Sequence, residues 1–145
     1  MLLGAALLVL VQAGIGIAVN LFVSVPSHHP GSHPTGYLVG SYDSVAWAIA
    51  HGAGGLAVHA SLGLALVVLA AGACIHAARS HRTAVTAWSV VAGLLVVGAG
   101  FNGSSFLDFA DDVSSLIMAL LAFAAAASYA VALFLLTGPA RAAHG

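Results

Sequence analysis

Four long apolar runs, separated by one polar loop and two short polar turns, set the pattern of this chain. The runs cover residues 2–25, 45–78, 84–107 and 113–137. Between them lie a loop at 26–44, a turn at 79–83 and a turn at 108–112. A helix needs ~20 predominantly apolar residues to cross a hydrocarbon core of ~30 Å, so each run is long enough to span. The pattern predicts an all-α integral membrane four-helix bundle, one transmembrane domain with an antiparallel up-down topology.

Two runs need a closer reading. The first, interrupted within its length by Gln12 and Asn20, has neither the basic start nor the small-residue cleavage site of a signal peptide, and so reads as a span. The second, at 1.5 Å per residue, would measure roughly 50 Å. Either one helix projects beyond the membrane, or the chain breaks at Gly52-Ala53-Gly54-Gly55 and leaves residues 45–51 along the surface. One long or kinked helix is the expectation. The loop at 26–44 holds Pro26, Pro30 and Pro34 and is expected to lack regular structure. Gly138-Pro139 stops the fourth run, and the tail at 140–145 is expected to be unstructured.

Composition strengthens this picture. Hydrophobic residues make up 61% of the 145 and charged ones 5%, against about 25% charged in soluble domains. There is no lysine or glutamate, which excludes a basic nucleic-acid face. The single cysteine, Cys74, excludes an intramolecular disulfide. The four-span size resembles that of small quinone-linked disulfide enzymes and small multidrug exporters. The first class needs paired cysteines and the second a membrane-embedded glutamate, and this chain has neither. Arg79 and Arg82 share the turn after the second run, and Arg141 follows the fourth. By the positive-inside rule both termini are cytoplasmic in a multi-pass protein of the cell membrane.

The eight histidines outnumber the seven charged side chains, and they supply the candidate chemistry. His51, Gly55, His59 and Gly63 fall four apart on one helical stripe. The glycines leave a hollow beside the imidazole that suits a neighbouring helix or a flat ligand. Counted from the span ends, Asn20, His59, Asn102 and Met118 (with Ser114 and Ser115) share one layer, roughly 5–10 Å below the outer surface. Such a layer serves either as interhelical hydrogen bonding or as a pocket. As a pocket it is a cofactor site, with His59, His51, Met118, Asn20 and Asn102 as candidates and haem b as the sharpest ligand. His51 and His59, on one helix, cannot ligate opposite faces of one haem, so Met118, a loop histidine folded inward or His59 of a second copy would supply the other ligand.

A separate metal candidate is the loop His28-His29-Pro30-Gly31-Ser32-His33, with Asp108, Asp111 and Asp112 on the same side. Nitrogen and oxygen donors of this kind suit Cu²⁺ or Zn²⁺, although the spacing matches no zinc motif. The aspartates also have a plainer use as caps on the fourth helix. No serine lies in a recognisable nucleophile context, and the inner half of the spans holds no continuous proton relay. The most economical function is a non-catalytic accessory subunit or binding module that associates with itself or a larger membrane complex. A haem- or metal-binding protein and a small proton-coupled transporter are the alternatives.

Overall fold

The computed structural model describes residues 1–138; the tail with Arg141 and His144 lies outside them. The described residues form five helices and no strand: α1 (Leu2–Phe22), α2 (Tyr37–His51), α3 (Gly54–Ala78), α4 (Thr83–Phe109) and α5 (Asp112–Thr137). The chain is thus all-α, and α1, α3, α4 and α5 are each long and apolar enough to cross a membrane. Their outward faces agree. Leu7, Val68, Leu94, Leu120 and Phe134 are all more than half exposed, a surface that matches lipid tails and that water would drive to aggregate.

In place of the expected single long or kinked helix, residues 45–78 fall in two helices with a break at Gly52 and Ala53. Gly52 leaves α2 in an extended conformation, φ −66° and ψ 159°, and Ala53 continues it. A Cβ at Gly52 would lie 2.4 Å from the Ala48 carbonyl oxygen, so this sharp exit requires glycine. The expected loop at 26–44 is corrected as well, because its second half belongs to α2. Pro34 packs on the bare Cα of Gly40, and Gly31, at φ +89°, brings its backbone against Ser44. These two contacts fold the histidine-bearing loop back over α2. α1 stops at Phe22, short of 25, and α4 runs two residues beyond 107. The turn into α5 shrinks to Ala110, left-handed at φ 53°, and Asp111.

The four long helices form a ring in which α1 touches α3 and α5, and α4 touches the same two. α2 lies across α3 and α4. Along the α1–α3 contact Met1 meets Gly72, Gln12 meets Gly63, Gly16 meets His59, and Val19 and Val23 meet Gly55. Residue numbers rise on one helix as they fall on the other. The main core is built largely from alanine, with Ala70, Ala92, Ala125 and Ala132 nearly inaccessible. Small side chains let helix backbones approach closely, and dispersion contacts then hold them where lipid gives no hydrophobic drive. Two buried serine hydroxyls of this core are satisfied locally: Ser89 donates to the Val85 carbonyl at 2.8 Å and Ser128 to the Ala124 carbonyl at 2.8 Å.

Arg82 closes the end of the bundle away from α2. Its guanidinium donates to the Leu135 and Leu136 carbonyl oxygens at 3.0 and 2.9 Å, on the last turn of α5. Those carbonyls lack helical partners, and a cation there favours the helix dipole.

Candidate functional site

Burial in the long helices is interrupted over one stretch of each. No residue is buried at 10–15 in α1, 57–65 in α3, 97–103 in α4 or 115–124 in α5. On one side of this gap lies the alanine core, and on the other a smaller cluster of Val19, Ala48, Leu56 and Leu107. Between them is a cavity of about 1010 Å³, walled by all four long helices and by α2. That is at the upper end of the ~300–1,000 Å³ of small-molecule sites. Its wall is mainly apolar and small, including Ala60, Gly63, Leu66, Val67, Gly100 and Ala119.

His59, Asn20 and Met118 of the expected layer do line this cavity, and Gln12 joins them. The His59 imidazole packs on Gly16, where a Cβ would stand only 2.7 Å from its Cε1. One turn away the relation is reciprocal: Gln12 reaches over Gly63 and donates from Nε2 to the His59 carbonyl oxygen at 2.8 Å. Each polar side chain of the α1–α3 joint thus fits the hollow of a glycine on the partner helix. The joint leaves Gln12 Oε1 and His59 Nδ1 buried with no partner among the described residues. Unsatisfied buried polar atoms cost about 1–3 kcal/mol each. An apolar joint of the same shape would hold the helices together without that penalty.

The other two expected members lie elsewhere. Asn102 is outside the cavity lining and donates from Nδ2 to the Gly98 carbonyl of its own helix at 2.9 Å. His51 ends α2, exposed, and is not among the lining residues either. The Met118 sulfur faces α4, with Sδ 3.0 Å from the position of a Cβ on Gly103. Haem ligation would therefore require both His59 and Met118 to leave their glycine contacts.

The expected metal donors are divided among separate tasks. His28 is exposed. His29 stacks on Trp47, with ring centroids 4.3 Å apart, and its Nε2 is 3.1 Å from the Leu107 carbonyl oxygen. His33 donates its backbone N–H to the Asp108 carbonyl at 2.8 Å and sets its ring edge-on to Phe109. Asp108 is a fully buried carboxylate in the last turn of α4, not a cap on α5. It accepts from Ser44 and Ser41 of α2, and Ser104 donates to Ser41 at 3.0 Å. That network pins α2 to α4. Asp111 is the N-cap of α5, accepting from the Val113 N–H at 3.1 Å and the Ser114 hydroxyl at 2.9 Å. Asp112 stands exposed in the first turn of α5 and lines the cavity. Among the described residues no three His, Cys, Asp or Glu side chains come together to hold a metal ion.

Gln12 lies outside the layer expected from the sequence, which groups Asn20, His59, Asn102 and Met118. The signal was available. Gln12 with Gly16 and His59 with Gly63 are the same polar-then-glycine pair four apart, and two such pairs interlock when their helices run oppositely. Comparison of the chain with protein-family models, with curated proteins and with solved structures returned no match.

Proposed function

We propose that this chain is a small four-span membrane protein that works as a non-catalytic binding module, holding a lipophilic ligand in its central cavity. The observation that carries the reading is the cavity itself, which interrupts burial at one level in all four long helices. A bundle kept only for its structure gains by closing such a gap, since lost dispersion contacts destabilise it in proportion to the void. The orphaned polar atoms of the Gln12–His59 joint support the same reading, because they burden packing at the cavity wall.

In the membrane, the helices run up and down in antiparallel fashion with both termini on the cytoplasmic face. What supports this orientation is the gathering of Arg79 and Arg82 at the end where Arg82 holds α5, while all four aspartates belong to the other end and its loops. α2 then rests at the extracytoplasmic boundary.

The test uses two glycines at which a Cβ meets nothing within 4 Å: Gly100, which lines the cavity, and Gly14, which does not. Purified protein in detergent is titrated with an uncharged, polarity-sensitive lipophilic dye, and an organic extract is assayed for a co-purifying molecule. Saturable dye binding that Gly100→Leu removes and Gly14→Leu retains supports the cavity reading. Dye binding equal in all three proteins, or none in any, refutes it. An absorbance scan of the same sample checks for haem, for which a Soret band lost in His59→Ala is the signature.

A further inference from the structure

One end of the cavity is bordered by α2 and by the helix ends beside it. There the last turn of α1 brings Asn20, the first turns of α2 bring Leu38 and Tyr42, and the start of α5 brings Asp112 and Leu116. Leu38, Tyr42 and Leu116 are 69%, 75% and 59% exposed. The carboxylate of the lining thus stands at this end, while the rest of the wall is mainly apolar and carries no other Asp, Glu, Lys or Arg. Resting on the cavity reading above, we propose that the ligand is a long-chain amphiphile whose head is cationic or an uncharged hydrogen-bond donor, seated at this end with its chain inside.

Three observations point to that head. Among the described residues lining the cavity, Asp112 is the one carboxylate, and none is arginine or lysine. Asp112 sits at a helix N-terminus, a place that otherwise attracts anions through free N–H groups. Here three of the four are already engaged: Val113 N–H bonds the Asp111 carboxylate, and Ser114 and Ser115 N–H bond the Asp111 carbonyl. This end therefore presents net negative charge. Asn20 and Tyr42 in the same lining are uncharged hydrogen-bonding side chains. Selection at the head follows from the setting, because a chain leaving lipid for an apolar cavity gains no hydrophobic free energy. Only the head changes its surroundings.

The test displaces the lipophilic dye with three sixteen-carbon compounds at pH 7.5: the primary amine, the primary alcohol and the carboxylate. In the unaltered protein the amine displaces at a concentration about tenfold or more below the carboxylate, with the alcohol between, as expected for unit charges near a surface carboxylate. Asp112→Asn brings amine and carboxylate within about threefold of each other, and Asp112→Lys reverses their order. Comparing ratios between proteins cancels the different micelle partitioning of the three heads. Equal displacement by amine and carboxylate in the unaltered protein overturns the head assignment alone, as does a preference that survives Asp112→Asn. Dye binding that is insensitive to Gly100→Leu overturns the cavity reading and this inference with it.

Discussion

The interlock between α1 and α3 makes a quantitative prediction about two small substitutions. In Gly16→Ala the new methyl would stand 2.7 Å from His59 Cε1, 3.4 Å from Nε2 and 3.5 Å from Nδ1. Carbon atoms rest at about 3.5–4.0 Å, so the ring must retreat by roughly 1 Å. Forcing an extra methyl into a packed joint costs about 1–3 kcal/mol. The gain from replacing a helical glycine is at most ~1 kcal/mol. It is smaller for a span that stays helical when the bundle comes apart. Gly16→Ala should therefore destabilise by about 1–2 kcal/mol. His59→Ala removes the ring and ends the burial of unpartnered Nδ1. With the ring gone, Gly16→Ala should be neutral or stabilising by up to ~1 kcal/mol. The double-mutant cycle then yields a coupling of about 1–3 kcal/mol, well above the ~0.5 kcal/mol of independent sites. Reversible unfolding in mixed micelles, followed by Trp47 and Trp88 fluorescence, measures all four corners. A cycle additive within ~0.5 kcal/mol would show that His59 does not rest on Gly16, and the joint as described would be wrong.

Three further outcomes follow from contacts at the two ends. Asp108→Asn replaces a buried acceptor of two serine hydroxyls with an amide that presents a donor to one of them, at about 1–3 kcal/mol. Its effect should be local, with faster amide exchange over residues 37–51 than in α3 or α5; uniform acceleration would contradict the pinning of α2. Ala110→Gly relieves a left-handed alanine at φ 53° and should raise stability by about 0.5–1 kcal/mol, against the 1–2 kcal/mol that left-handed backbone costs non-glycine residues; a loss of thermal stability would refute this. Arg82→Ala frees the Leu135 and Leu136 carbonyls and should cost about 0.5–2 kcal/mol. Protease sensitivity should rise at the end of α5 while dye binding stays unchanged.

Much of the architecture was legible because lipid imposes a simple rule: spans must be long, helical and apolar. The four long helices follow from that rule. The break before α3 was visible as an option at Gly52-Ala53-Gly54-Gly55, but choosing it depends on the Ala48 carbonyl crowding Gly52, a contact only the folded chain contains. The helix over Tyr37–Ser44 was hidden for a similar reason. Its prolines precede it, and Pro34 serves it by packing on Gly40. The loop histidines looked like a set because they are adjacent in sequence. In the fold, backbone carbonyls and aromatic rings separate His29 from His33.

Residues at a comparable height along the helices differ in what they face. Asn20 and His59 were placed by height alone and do border one cavity, whereas Asn102 at a comparable height turns to Gly98. Height along a helix says nothing of azimuth, and a step of one residue rotates a side chain by about 100°. Azimuth is set by where glycines let a neighbour approach. On α1 and α3 the pairs Gln12–Gly16 and His59–Gly63 define matching faces, since each polar group needs the other helix's glycine. Asn102 has Gly98 four residues before it and spends its amide on that glycine's own carbonyl. The same spacing thus has two results, one across helices and one within a helix. What separates them is whether a partner span carries a complementary pair in opposite order. α1 and α3 do, and their joint forms one wall of the cavity from which any function of this bundle has to be argued.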